Sequence, residues 1–123
     1  MKKNIQSIVL FFSVFILTAC SQSTHEELQE NHWQVVSDNG ESYTANFFED
    51  TVSFKMGVFE YGYQYSITND DDTEKIQMIY DDDDKPIFEI QHEDNYIKFI
   101  ADNDEVYEQY GNLTLTAIEN NEN

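Results

Sequence analysis

The chain has 123 residues and is strongly acidic, with 25 Asp and Glu residues against six lysines and no arginine. The formal net charge of −19 excludes nucleic-acid binding as an expected function, because that function depends on basic side chains facing phosphates. Nine Phe, eight Tyr and one Trp predict a packed aromatic core, and the length is enough for one small domain.

The first nineteen residues have the layout of a secretory signal peptide. Lys2 and Lys3 precede an apolar run that is too short to span a membrane comfortably. This run ends in four residues that resemble the lipobox of bacterial lipoproteins, namely Leu17, Thr18, Ala19 and Cys20. The resemblance implies diacylglycerol on the Cys20 thiol, cleavage before Cys20 and an outward-facing, lipid-anchored protein at a cell membrane. The alternatives are an ordinary secreted protein or an N-terminal membrane anchor.

Cleavage before Cys20 would leave 104 residues and, with Lys2 and Lys3 removed, a net charge of −21. The polar residues 20–31 are predicted to form a flexible tether, with a short helix over 24–30 capped by Thr24 as the alternative. Residues 32–118 form the predicted domain, and residues 119–123 a disordered tail. Cys20 is the only cysteine, so no disulfide is expected to stabilise the domain.

From His32 onward, apolar residues alternate with polar ones, which is typical of half-buried strands. Asn39-Gly40 predicts a tight hairpin turn with positive φ at both positions. We expect these residues to face inward: Trp33, Val35, Tyr43, Ala45, Phe47, Val52, Phe54, Met56, Tyr61, Tyr63, Tyr65, Ile67, Ile76, Met78, Tyr80, Phe88, Ile90, Ile97, Phe99, Leu113 and Leu115. No segment after the signal peptide shows a clear amphipathic helical period. The pattern predicts an all-β antiparallel meander of about eight short strands, closed as a small barrel or folded as a two-sheet sandwich.

This arrangement resembles the small lipocalin-like, or calycin-type, lipoproteins of low-GC Gram-positive bacteria. The features that carry the resemblance are the lipobox, Trp33 in the first strand, the eight-strand meander and the closing segment 110–115. It implies a lipocalin-like barrel on the surface of a Gram-positive cell. Many lipocalins have glycine two residues before that tryptophan, whereas this chain has Asn31.

Trp33, Tyr61, Tyr63 and Tyr65 are the candidate ligand-binding residues, since inward aromatics can line a pocket as well as fill a core. The acidic runs 70–72 and 81–84 offer oxygen ligands, but we expect them to lie at opposite ends of one strand. Solvated turns are therefore the favoured interpretation, and weak Ca²⁺ association is the alternative. Three scattered histidines and no Gly-x-Ser-x-Gly motif predict neither a metal site nor catalysis, and no cofactor is expected.

The sequence therefore predicts a non-enzymatic, monomeric surface lipoprotein whose barrel binds a small apolar or sugar-like ligand. The alternative is an interaction or inhibitor module for a cationic partner such as lysozyme or a host-defence peptide, steered by the acidic charge. A passive role on the surface is a third hypothesis.

Overall fold

The computed structural model describes residues 23–118, which form two short helices and eight strands. The helices are α1 (Thr24–Glu30) and α2 (Asp104–Tyr110). The strands are β1 (His32–Ser37), β2 (Ser42–Phe47), β3 (Thr51–Met56), β4 (Phe59–Asp70), β5 (Thr73–Ile79), β6 (Ile87–His92), β7 (Ile97–Ala101) and β8 (Leu113–Ile118).

The eight strands form one closed antiparallel barrel in which each strand pairs with its neighbours along the chain. Closure is made by β1, where Trp33 lies opposite Ala45 of β2 on one side and Ala117 of β8 on the other. The all-β meander barrel is thus confirmed, and the alternative of a two-sheet sandwich is excluded. Closure also leaves neither end of the meander as an unpaired edge strand.

The barrel is filled by the inward rows that the alternation predicts. Along β1, Trp33, Val35 and Ser37 are buried while the residues between them are exposed. Most of the predicted inward residues belong to the buried core, which also contains Leu28 of α1. Tyr80 is an exception, because it lies beyond the end of β5 and is more than half exposed.

The β1–β2 turn forms as predicted, but its geometry differs. Of its residues only Gly40 has positive φ, at 97°, whereas Asn39 does not. The Ser37 amide donates to the Glu41 carbonyl, which leaves a loop of three residues ending in a left-handed glycine, a common hairpin form. The side chain of Asn39 instead accepts from the amide of Glu41 at 3.0 Å, which braces the loop locally.

Helix α1 covers one end of the barrel, which we call the closed end. Leu28 is 0% exposed within the core, and its carbonyl accepts from the Trp33 indole at 3.0 Å. The prediction of a flexible tether is therefore wrong for Thr24–Glu30, because burial of Leu28 ties this segment to the barrel. The alternative of a short helix is confirmed, with Ser23 rather than Thr24 as its N-cap.

Helix α2 was not expected from the sequence. Asn103 caps it by accepting from the amide of Val106, and Asp104 and Glu105 occupy its first turn. None of its residues is fully buried, and only Val106 and Tyr110, which are four residues apart, pack against the core. The helix lies between β7 and β8 at the end of the barrel opposite α1, which we call the open end.

Candidate functional site

The open end leads into a cavity inside the barrel with a volume of about 240 Å³. Its walls are mostly apolar and aromatic, with Glu41 as the acidic member. The lining residues are Val35, Glu41, Tyr43, Phe54, Met56, Tyr61, Tyr63, Met78, Pro86, Phe88, Tyr110 and Leu113. No basic side chain is among them. A concave apolar site with a few polar groups at one side is the usual form of a small-molecule pocket.

Strand β4 shows how the core opens into this cavity. Its inward row runs from Tyr65, which is 6% exposed, through the half-buried Tyr63 to Tyr61 at 40% and Phe59 at 62%. The β3–β4 hairpin turns at Gly57, whose φ is 63°. The aromatic side chains of this row are thus exposed near the turn. They lie beside the opening of the cavity at the open end, which we call the mouth.

A connected row of aromatic contacts lies along one side of the cavity, from β2 to the end of β5. The rings of Tyr43 and Phe54 have centroids 6.0 Å apart, and those of Phe54 and Tyr63 are 5.7 Å apart, both in edge-to-face geometry. Tyr63 also contacts Tyr80, with centroids 5.5 Å apart. Such pairs stabilise by about 0.5–1.5 kcal/mol each beyond burial, which gives the mouth a defined shape.

Two tyrosines of the cavity are paired with carboxylates. The hydroxyl of Tyr43 donates a short hydrogen bond to Glu41 Oε1 on the same hairpin. The hydroxyl of Tyr110 donates to Asp84 Oδ1 at 2.5 Å, which joins α2 to the β5–β6 loop. Both hydroxyls therefore use their protons within the protein, and the acceptors at the mouth are carboxylate oxygens.

Burial and these carboxylates raise the pKa values of the cavity tyrosines. Burial raises the pKa of Tyr43, and its hydrogen bond to Glu41 adds to the effect. The pKa of Tyr110 is raised by burial and then by its hydrogen bond to Asp84. Burial also raises the pKa of Tyr63, with Asp84 contributing in the same direction and Tyr110 in the opposite one. All three hydroxyls therefore stay protonated to a higher pH than an exposed tyrosine would.

These shifts predict a loss of stability at alkaline pH. Burial, with smaller effects from Asp50 and Glu49, raises the pKa of Tyr65 to about 12, against about 10 in an unfolded chain. A raised tyrosine pKa stabilises the fold fully below about pH 10, and this stability is lost as the pH rises toward the folded value. We expect urea midpoints to be insensitive to tyrosine ionisation below about pH 10 and to fall above it. A Tyr65→Phe variant should fall less steeply, and an equal slope would contradict this assignment.

The structure brings two of the four predicted ligand-binding residues into the cavity, Tyr61 and Tyr63. Trp33 and Tyr65 instead belong to the closed half of the barrel. Trp33 packs beneath α1, and the Tyr65 hydroxyl donates to the Phe48 carbonyl at 2.6 Å. The alternation correctly gives the face of each side chain but does not indicate its height along the barrel.

Four residues of this site were not predicted to lie together: Tyr43, Tyr110, Glu41 and Asp84. Tyr43 was expected to face inward, and its proximity to Glu41 in the hairpin was an available signal. Nothing local connects Tyr110 to Asp84, because their contact depends on barrel closure and on the unexpected helix α2.

Polar contacts at the closed end hold α1 in place. Thr24 Oγ1 donates to Glu74 Oε1 at 2.8 Å and lies 2.9 Å from His92 Nε2. His92 also lies between two carboxylates, 3.3 Å from Glu74 and 3.7 Å from Glu27. Across residues 23–118, no group of three or more His, Cys, Asp or Glu side chains is arranged to hold a metal ion.

The two acidic runs lie at opposite ends of β5, as expected for a meander. Asp71 and Asp72 form the β4–β5 turn at the closed end, and the run 81–84 belongs to the β5–β6 loop at the open end. The predicted lipobox, Leu17, Thr18, Ala19 and Cys20, lies outside the described residues. Neither described helix is both long and apolar enough to cross a membrane.

The described domain is a small eight-stranded antiparallel barrel, consistent with a lipocalin-like fold, with one end covered by a helix and a cavity at the other. Searches against protein-family models, curated proteins and solved structures found no match to this chain.

Proposed function

We propose that this chain is a non-enzymatic, lipid-anchored lipoprotein on the outer surface of a Gram-positive cell, and that its barrel binds a small apolar ligand. The observation that carries the proposal is the cavity of about 240 Å³ at the open end, with walls that are mostly apolar and a polar mouth. Closure by α1 at the other end supports it, because an entering ligand would be held on all sides but one.

An apolar ligand fits this cavity better than a sugar. Val35, Met56, Met78 and Leu113 face the ligand volume, and they offer no hydrogen bond. The hydroxyls of Tyr43 and Tyr110 are already engaged with carboxylates. A sugar would also place hydroxyl groups against these apolar walls, away from the carboxylates of the open end, and each unpaired hydroxyl there would cost binding free energy.

The lipid anchor is proposed from the lipobox resemblance at Leu17, Thr18, Ala19 and Cys20. Two or more acyl chains would be needed for stable attachment, because a single chain gives marginal membrane binding. Since the domain is strongly acidic, a negative head-group surface would repel it rather than help to hold it.

A Cys20→Ser variant should fail to acquire diacylglycerol and should be recovered unprocessed or released into the medium. A Ser21→Ala variant, which changes a neighbouring residue outside the lipobox, serves as the control and should be retained in the membrane. Cell fractionation and the intact mass of each protein measure both outcomes. Membrane retention of Cys20→Ser with a normal mature mass would refute the anchor.

The cavity contains its own reporters for a binding experiment. Met56 and Met78 both line it, and Met1, the third methionine of the chain, lies in the predicted signal peptide. In protein beginning at residue 20 and labelled with ¹³C at the methionine methyl groups, both cavity signals should shift on titration with 1-octanol. Unchanged signals for 1-octanol and for charged octyl compounds would contradict ligand binding in the barrel.

A Tyr63→Ala variant should bind 1-octanol about threefold to tenfold more weakly, because the half-buried ring lines the cavity and contributes apolar contact. Tyr96→Ala is the matched control, since Tyr96 is an exposed tyrosine in the β6–β7 loop at the closed end. Equal affinities for the two variants would exclude Tyr63 from the site. Circular dichroism of both variants checks that the barrel remains folded.

The acidic loops of the open end favour a cationic protein partner as a second candidate function. A large net charge of one sign steers an oppositely charged partner, and such association weakens with added salt. Salt-sensitive binding to lysozyme in surface plasmon resonance, unaffected by filling the cavity with 1-octanol, would support this function. Absence of binding at low salt would exclude lysozyme as the partner.

A further inference from the structure

The mouth of the cavity is acidic as well as aromatic. The β1–β2 loop contributes Asp38 and Glu41, and the β5–β6 loop contributes the run 81–84. Lys85 is the one lysine in the four loops of the open end. The field at the mouth therefore attracts cations and repels anions.

The carboxylates have acceptor capacity left for a ligand. Glu41 lines the cavity and holds the Tyr43 hydroxyl through one oxygen, and Asp84 holds the hydroxyl of the lining residue Tyr110 through Oδ1. A carboxylate offers about four lone-pair positions, so each pair leaves several unused. Because the protons of Tyr43 and Tyr110 point at the carboxylates, these two pairs offer a ligand acceptors and negative charge rather than donors.

Aromatic rings stand beside these carboxylates. Tyr43, Tyr61 and Tyr63 all line the cavity, and Tyr63 is in ring contact with Tyr80 outside it. A cation close to the face of an aromatic ring is stabilised by about 0.5–2 kcal/mol, and quaternary ammonium groups are often bound in this way. Carboxylate and tyrosine together therefore favour an ammonium group at the mouth.

We propose that the ligand is a small amphiphilic cation, with its apolar chain in the barrel and its ammonium group between Glu41, Asp84 and the tyrosines of the mouth. This inference rests on the proposed function and names the ligand class for the same cavity. The cavity of about 240 Å³ occupies only the open end of the barrel, so it suits a short apolar chain. An octyl chain is thus a suitable length.

Three ligands that share an octyl chain test the inference: octyltrimethylammonium, 1-octanol and octyl sulfate. Titration of the full mature chain, followed by the methyl signals of Met56 and Met78, should give an affinity for the cation about tenfold above that for the alcohol. Octyl sulfate should bind most weakly. Equal affinities for all three would overturn the cationic ligand while leaving the apolar pocket intact, and no shift with any of them would refute the pocket itself.

Paired variants separate a built site from the general acidity of the domain. The double variant Glu41→Gln and Asp84→Asn keeps oxygen acceptors for the Tyr43 and Tyr110 hydroxyls and should lose the preference for the cation. The control is the double variant Asp72→Asn and Asp94→Asn, which removes the same charge from turns at the closed end. This control should keep the preference for the cation. If both double variants lost the preference equally, the preference would come from the overall charge of the domain, and the proposed ammonium site would be refuted.

Discussion

A Gly111→Ala variant is expected to lose on the order of 3 kcal/mol of folding stability, although it adds one methyl group at a loop. Gly111 has φ 75° and ψ 178°, a conformation that is essentially restricted to glycine. A Cβ at this position would also lie 2.7 Å from Ser37 Oγ, well inside van der Waals contact. Backbone strain and steric overlap therefore act together.

The surroundings of Gly111 leave little room for relief. Ser37 Oγ donates to the Tyr110 carbonyl at 2.5 Å and accepts from the Asn39 amide at 3.2 Å. A displaced Ser37 would thus disturb both the β1–β2 loop and the end of α2. Because Tyr110 lines the cavity, we expect Gly111→Ala to weaken ligand binding as well.

Gly62→Ala provides the matched control. Gly62 lies within β4, has no atom near the position of an added Cβ and lacks positive φ. Its substitution should change stability by no more than about 0.5–1 kcal/mol, and an alanine in a strand can even stabilise. Urea unfolding followed by Trp33 fluorescence compares the two variants, and equal midpoints would contradict the tight packing at Gly111.

A Leu28→Ala variant should cost about 2–5 kcal/mol, the usual range for removing a large buried side chain. Leu28 is the residue of α1 that belongs to the core, and it is 0% exposed. Without its side chain, only polar contacts hold the helix on the barrel, such as those of Thr24 with Glu74 and of the residue 28 carbonyl with Trp33. We therefore expect α1 to detach in part and the closed end to open.

Gln29→Ala is the control, because Gln29 is an exposed neighbour on the same helix. It should change stability by less than about 0.5 kcal/mol. Amide hydrogen exchange adds a readout that separates local opening from global loss, since opening at the closed end should raise exchange in α1 more than in β7. Unchanged stability of Leu28→Ala would mean that α1 does not contribute to the barrel.

Much of the barrel could be predicted, because the apolar residues that alternate with polar ones indicate both where a strand lies and which of its faces is buried. Val35 in β1, Phe54 in β3 and Phe99 in β7 were expected to face inward from alternation alone, and all three are buried. Short turns between most of the strands favoured a meander, in which neighbours along the chain pair with each other.

The features that could not be predicted from the sequence depend on contacts between distant segments of the chain. Leu28 is a single apolar residue in a polar segment. It contributes to folding stability only because Trp33 and the end of the barrel surround it in the folded protein. The positions of Tyr65 and Tyr61 along the barrel axis follow from barrel closure. Because of these positions, Tyr65 belongs to the core and Tyr61 lines the cavity. Tyr110 joins the site only through α2, a helix of seven residues with no fully buried side chain to mark it in the sequence.

Native mass spectrometry of the full protein, gently extracted from its own membrane, tests the central claim most directly. We expect a chain that begins at Cys20, carries the mass of diacylglycerol and retains a further small ligand that dissociates on mild activation. Exchange of that ligand for added octyltrimethylammonium would place it in the same cavity. An unlipidated protein that stays empty under these conditions, and remains empty after octyl compounds are added, would contradict both the anchor and the pocket.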